Sequence, residues 1–261
     1  MQQVWQLNTT IKYCLFLHGY DDNTLELCFG KQNKNKSLIS KLVGDSVEST
    51  DSGIEGLSRI AIGGKITPEI IPSYTKLVYR NRLEVLYAYK YIQNRTTKEE
   101  YLKIKDYYKQ IIQNADKHYD IVLVDLDKGL DDDMVKKILD ISDVIVYNIE
   151  QRMNMIDQFK NLKEKLAIQD KNNIVLNIGR FDENSKYTVK NISRYLGIRR
   201  DIMTVPYNTL FLEASSEEKI ADLFLKIRNV SETDKNASFV KQVKEAVEKI
   251  IYKLQEVQMR K

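Results

Sequence analysis

Short apolar runs bounded by polar residues alternate along this sequence with longer stretches whose apolar positions recur every three or four residues. The first pattern predicts buried strands and the second amphipathic helices. Tyr13-Cys14-Leu15-Phe16-Leu17 and Glu84-Val85-Leu86-Tyr87-Ala88 read as strands, and firmer runs follow at 121–124, 144–147, 174–176 and 202–205. Between them the spacing predicts helices over 134–139, 155–166 and 189–196, long enough to serve as crossovers between parallel strands. The alternation predicts an α/β fold with three layers, α/β/α, built on a mostly parallel sheet with right-handed crossovers.

Two regions break this pattern. Residues 32–79 hold polar tracts such as Gln32-Asn33-Lys34-Asn35-Lys36, with helical pieces around 37–42 and 54–60, and read as a decorated insertion. Residues 97–118 read as a long charged helix with Tyr101, Ile104, Tyr108, Ile111 and Ile112 on the face turned to a sheet. Near the end, residues 238–258 place Val240, Val243, Val247, Ile250, Ile251, Leu254 and Val257 on one side of a last helix. That helix reads as packed on the domain; the alternative is a dimer helix or a peripheral membrane contact. A length of 261 residues fits a single domain spanning 1–261.

Composition narrows the function classes. With 43% hydrophobic and 30% charged residues the chain has enough apolar material for a core, which excludes a disordered segment. Lys+Arg 41 against Asp+Glu 37 is too even for a nucleic-acid footprint, so DNA contact is not expected. Cys14 and Cys28 have neither the spacing of a zinc site nor the density of a disulfide framework. The sequence starts without a basic stretch followed by an apolar run and holds no uninterrupted apolar stretch of about 18 residues, so a cytoplasmic location is expected.

The most informative stretch is Tyr119-Asp120-Ile121-Val122-Leu123-Val124-Asp125. It puts Asp125 at the carboxyl end of a central strand, where ligands bind in open α/β sheets. A carboxylate there suits orienting a water or hydroxyl ligand of Mg²⁺ shared with nucleotide phosphates; the alternative is a solvated strand end. The Asp131-Asp132-Asp133 run reads as acids offsetting a helix dipole. His18 and His118 lack the partners of a catalytic triad and read as structural. Arg180, Asp182 and Lys186 form a polar loop that reads as capping and solvent-exposed, the alternative being a base-edge or partner contact.

Taken in order and spacing, Tyr119 to Asp125, then Asp143-Val144-Ile145-Val146, then Val205-Pro206-Tyr207-Asn208 followed by Leu212-Glu213-Ala214, resemble the ParA/MinD family of P-loop ATPases over roughly residues 12–227. The resemblance implies that Asp125 is the Walker B carboxylate and the metal-binding residue. It further implies that Pro206, Tyr207 and Asn208 form the turn approaching adenine, that Asn177 stands near the base, and that ATP and Mg²⁺ are the cofactors.

The same family opens with a strand and a phosphate loop, K-G-G-x-x-K-[ST]-T, whose backbone amides and lysines hold the phosphates. The nearest match in this sequence, Gly63-Gly64-Lys65-Ile66-Thr67, has Arg59 where a Walker glycine belongs and reads as unrelated to phosphate. Alignment of the first strand with the family's second puts His18 and Tyr20 in place of its D-x-D, with Asp21 and Asp22 close by. The fold is therefore expected to lack the first strand and phosphate loop, through a late start or through degeneration. No catalytic residue is assigned. The resemblance implies a homodimer acting as a positioning, partitioning or scaffold factor with impaired or no ATP hydrolysis, its protein partner belonging to a partitioning, conjugation or secretion/pilus system. The alternatives are an active ATPase whose phosphate loop lies upstream, and a small-molecule-binding domain of the same fold class.

Overall fold

The apolar runs become strands of two sheets in the computed structural model, which describes residues 13–18, 53–80, 82–87, 98–126, 132–166, 172–198 and 200–260. The chain divides into two compact units, residues 1–135 with 215–221, and residues 136–214 with 222–261.

In the first unit, β1 (Tyr13–His18) lies between two parallel neighbours, β3 (Leu83–Leu86) and β4 (Ile121–Leu126). Leu15 stands opposite Val85 on one side and Leu123 on the other. β2 (Lys76–Tyr79) joins β3 antiparallel, through a turn in which Arg82 N–H donates to the Tyr79 carbonyl at 2.9 Å. The helices of this unit, α1 (Gly53–Ile62), a 3-10 helix (Pro68–Tyr74) and α2 (Lys98–Asp116), pack on one another. Ile54, Leu57, Ile71, Val85, Leu86 and Ile111 are wholly buried. The Glu84 carboxylate accepts the hydroxyls of Thr75, at 2.6 Å, and Tyr119, at 2.5 Å, so that β3 ties down the segment before β2 and the approach to β4.

The second unit has three layers. Its sheet is β5 (Ile145–Ile149), β6 (Ile174–Phe181) and β7 (Ile202–Pro206), in that order and all parallel. The helices α4 (Met153–Lys165) and α5 (Val189–Leu196) cover one face, where Ile156, Phe159 and Ile192 pack on Ile149, Leu176, Ile178 and Ile202. On the other face α8 (Ala237–Gln258) places Ala246 and Ile250 against Val175, Met203 and Val205. The two clusters take alternate residues of β6, as the two-residue period of a strand requires. α3 (Asp132–Ile141) leads from the first unit's chain into the second, and α6 (Thr209–Ser216) and α7 (Ile220–Ile227) follow β7. Within α5, Thr188 accepts the Asn191 N–H at 3.3 Å and Gly197 closes the helix at φ 68°, so both ends are capped.

The strands and helices predicted within the described residues are present, with the mixed α/β class and predominantly parallel pairing that the sequence implies. β6 runs to Phe181, well past the predicted 176, because Asn177, Gly179 and Arg180 interrupt its apolar run without ending its ladder. The predicted insertion contains β2 and the 3-10 helix, and α6 and α7 were not foreseen; each is short, and α7 (Ile220-Ala221-Asp222-Leu223-Phe224-Leu225-Lys226-Ile227) is apolar nearly all round. The predicted helical piece at 37–42, and Tyr20, Asp21 and Asp22, lie outside the described residues. No helix among the described residues is long and apolar enough to cross a membrane.

Two charged anchors hold α8 to the start of β7. Lys249 Nζ donates to the Ile202 carbonyl at 2.5 Å, and the buried Lys253 ammonium bonds Asp201 at 3.0 Å and Glu256 at 3.2 Å. Burial disfavours the charge on Lys253, but the hydrogen bonds and charges of Asp201 and Glu256 outweigh it and hold the ammonium above the usual lysine range. A lysine whose folded pKa is raised contributes stability at all pH values below its unfolded pKa of about 10.4, and loses it as pH climbs through the folded value. Lys253→Met is expected to lower stability at neutral pH by roughly 1–3 kcal/mol. Urea melts from pH 9 to 12 should show the wild type losing its advantage over the variant only at the alkaline end. A second prediction concerns Gly53, whose φ is +70° and where a Cβ would lie 3.0 Å from the Tyr87 carbonyl oxygen that accepts the Ile54 N–H. Gly53→Ala should cost about 1–2 kcal/mol in the same melts.

Candidate functional site

The carboxyl ends of β6 and β7 open a cleft of about 600 Å³ in the second unit. Its shape follows from a slip in the ladder: Gly179 faces Val205, but Phe181, two residues on, faces Pro206, only one residue on. Arg180 is the extra residue and takes φ 50°, a conformation that costs an L-residue about 1–2 kcal/mol. Pro206 carries no amide hydrogen and ends β7 there. The bulge swings the following loop outward, and Gln151, just before α4, clamps it. The Gln151 amide accepts from Asp182 N at 2.7 Å and donates to the carbonyls of Asp182 and Tyr187 at 3.2 and 2.9 Å. Asp182 then accepts from Asn184 through both its backbone and side-chain nitrogens, fixing a tight turn on the cleft wall.

The charge in the cleft is mixed. Arg180 reaches Glu150 at 3.3 Å, and Glu150 also holds Arg152 at 3.1 Å; with both arginines largely exposed these pairs contribute little stability. Asp182, Glu183 and Asn184 bring acceptors and an amide, and the opposite wall is the first turns of α8. There Gln242 accepts the Thr204 hydroxyl of β7 at 3.0 Å and donates to Ser238 at 3.3 Å. Tyr207 stands at the mouth with 55% of its surface exposed, a ring available for stacking.

Of the residues proposed from sequence, Pro206 and Tyr207 line this cleft. Asn208 turns away from it into a capping role: its side chain accepts the Phe211 N–H at 2.9 Å and its carbonyl accepts the Leu212 N–H at 3.1 Å, which starts α6. Its amide also donates to Asn236 at 3.0 Å, at the head of α8. Asn177 lies within β6, not among the cleft-lining residues, and donates to Asn148 of β5 at 2.8 Å; its Oδ1 is buried and has no hydrogen-bond partner among the described residues. Asp125 belongs to the first unit, one residue from the end of β4 and opposite Leu17 of β1, half-buried. The wall residues Ser238 and Gln242 escaped the sequence reading because α8 follows β7 only after α6 and α7, and nothing in its apolar spacing marks its polar first turns.

Gly63-Gly64-Lys65 is fully accounted for by helix termination. Gly63, Gly64 and Lys65 donate their amides to the carbonyls of Arg59, Ala61 and Ile60 at 3.1, 2.9 and 3.1 Å, and Gly64 takes φ +65°. These are the bonds of a helix C-terminus, which presents carbonyls and negative dipole, the reverse of a phosphate cradle. As for Mg²⁺, no group of three His, Cys, Asp or Glu residues that could hold a metal occurs among the described residues. A half-buried carboxylate at that strand end, such as Asp125, fits the role of holding a water of an ion whose other ligands come from phosphate.

No family model matches the sequence, and no curated protein matches it. Solved structures do. A ParA family ATPase from Chlorobium tepidum TLS superposes with a TM-score of 0.64 at 14% identity, over 92% of this chain and 88% of that one. A plasmid partition protein from Borrelia burgdorferi B31, bound to AMPPNP, gives 0.57 at 18% identity, over 93% and 87%. The septum site-determining protein MinD from Pyrococcus horikoshii OT3, complexed with Mg-ADP, gives 0.57 at 13% identity, over 92% and 84%. At these identities the likeness establishes the fold: this chain has a ParA/MinD-like fold.

The bonds of Asn208 make a testable claim about its role. Asn208→Ala removes both the α6 cap and the link to Asn236 and should lower stability by about 1–2 kcal/mol in chemical denaturation. Asn208→Asp keeps the acceptor for Phe211 N–H and should recover a large part of that loss.

Proposed function

We propose that this chain is a nucleotide-binding-fold protein of the ParA/MinD type that works as a positioning, partitioning or scaffold factor, with impaired or absent ATP hydrolysis. The observation that carries the reading is the Pro206-Tyr207 turn opening on a cleft at the carboxyl ends of parallel strands, in a ParA/MinD-like fold. Ligands of open α/β sheets bind at such strand ends. In this reading the exposed Tyr207 ring stacks on the base, and the amide and hydroxyl groups of Gln242, Asn184 and Ser238 meet its polar edge. Asn177 and Asn208 support the strand and the turn beneath it.

Asp125 is assigned the water-mediated contact to Mg²⁺, the ion supplying charge neutralisation for the phosphates when bound. Weak hydrolysis is supported by one feature of the sequence and one of the structure. No stretch of the 261 residues carries K-G-G-x-x-K-[ST]-T, and the glycine pair closest to it spends its amides on ending α1. A homodimer and a protein partner in a partitioning, conjugation or secretion/pilus system complete the proposal, in keeping with a fold that serves partition and cell-division proteins.

Thermal unfolding with and without ATP-Mg²⁺ tests the nucleotide site. Ligand at about 100 times its dissociation constant should add roughly 2.7 kcal/mol of stability. The gain should shrink in Tyr207→Ala and Asp125→Ala, and no gain in the wild type would end the nucleotide reading. Phosphate release measured on the same samples should stay at the buffer rate; turnover abolished by Asp125→Ala would instead mark an active ATPase.

A further inference from the structure

A second concavity in the same unit, of about 450 Å³, runs between α4 and α5 on the side of the sheet carrying the Phe159 cluster. Met153 and Ile156 of α4 and Ile192 of α5 form its floor, and Tyr187 and Tyr195 its walls. Ile156 and Ile192 are each 1% exposed, so the apolar floor is recessed, whereas Tyr195 stands out at 46%. The Tyr195 hydroxyl donates to Asp157 at 2.6 Å, and the Asn191 side chain donates to the Lys186 carbonyl at 2.9 Å; both bonds set the walls in place.

The rim is cationic. Lys186, which lines the groove, has its Nζ 5.2 Å from the centre of the Tyr187 ring, and Lys160 Nζ lies 5.5 Å from the centre of the ring of the wall residue Tyr195. None of these lysines, nor Lys190 and Arg194 of α5, has a carboxylate within salt-bridge distance among the described residues. The acids of the two helices are Asp157, engaged by Tyr195, and Glu164. A recessed apolar floor edged by uncompensated ammonium groups has a defined complement: a row of apolar side chains flanked by carboxylates.

We propose that the groove between α4 and α5 docks an acidic amphipathic helix of a partner protein. A helix matches the groove because its apolar residues, three and four positions apart, insert side by side, while acids beside them reach Lys160 and Lys186. A bilayer fits less well, since it cannot fill a recess beneath the lysines. Single-stranded nucleic acid fits less well too, because one face of both tyrosine rings is covered by the protein's own ammonium groups, where a base would stack. The inference is independent of any nucleotide bound at the β6–β7 cleft.

The test is fluorescence anisotropy of the whole chain with a labelled peptide of Leu, Glu and Ala, about five helical turns long, with its leucines on one face. A peptide of the same composition with its leucines scattered serves as control, beside an oligothymidine strand and vesicles of phosphatidylcholine and phosphatidylglycerol. The amphipathic peptide should bind saturably, and at least about tenfold tighter than the scattered one. The double charge reversal Lys160→Glu/Lys186→Glu should weaken binding by a similar factor with an unchanged melting curve, since both side chains lie on the surface. Tyr195→Ala should weaken it as well. The proposal is overturned if the wild type does not bind the peptide, if both peptides bind alike, or if the charge reversal leaves binding intact. It is equally overturned if oligothymidine or vesicles, and not the peptide, bind in a manner that depends on Lys160 and Lys186.

Discussion

The second unit rests on one strand that is paired along both edges and covered on both faces. β6 shares parallel ladders with β5 and β7 and buries Leu176 and Ile178 toward α4 and α5, and Val175 toward α8. Burial on both faces leaves no room for backbone groups without partners, since an unpaired buried N–H or C=O costs about 1–3 kcal/mol. This is why the ladder continues through Asn177 and Gly179, where the apolar run has already ended. Its backbone departs from regular geometry near its carboxyl end, at Arg180, where the ladder with β7 slips. The irregular part is therefore built on the most constrained part, and the cleft inherits a rigid floor.

Around that bulge, uncharged side chains hold the backbone in place. Gln151 fixes the loop, Asn208 fixes the turn, and Gln242 joins α8 to β7, all through neutral hydrogen bonds. Such bonds hold geometry without adding charge, so the electrostatic character of the cleft is left to Arg180, Glu150, Asp182 and Glu183. The α4–α5 groove is different in kind, with aromatic walls and cations left without acids. One face of the sheet thus carries a surface suited to a polypeptide, and the end of the sheet a recess suited to a small molecule.

Much of the framework could be read from the sequence because its signals are periodic. Continuous runs such as Ile121-Val122-Leu123-Val124 admit few places other than a paired strand, and the spacing of Ile111 and Ile112 in α2 reports the covered face directly. Pro206 and Tyr207 were placed at the turn ending β7 by the resemblance of Val205-Pro206-Tyr207-Asn208 to the ParA/MinD family, and both line the cleft. Asn208 was placed at the right turn, yet its capping bond depends on where α6 begins, and α6 has too weak a pattern to be foreseen. Ser238 and Gln242 reach the cleft through tertiary packing alone, and the bulge at Arg180 arises from a mismatch between two strands, which no single segment encodes. The Gly63-Gly64 pair, which the sequence already sets apart from a phosphate loop, spends its amides on the hydrogen bonds that end α1.

α8 is gripped at two places along β7. Its first turns form a wall of the cleft, and Lys249 and Lys253 hold its later turns to Ile202 and Asp201 at the strand's other end. A helix fastened in this way behaves as a lever with its fulcrum on the strand. Widening the cleft by tilting the first turns would draw the lysines off their acceptors, so the cleft's width is coupled to an ion-pair cluster a whole strand length away. A compound seated between Tyr207 and Gln242 would therefore slow hydrogen exchange not only beside itself but at the amides near Lys253, and weakening the cluster would loosen the mouth of the cleft without touching it.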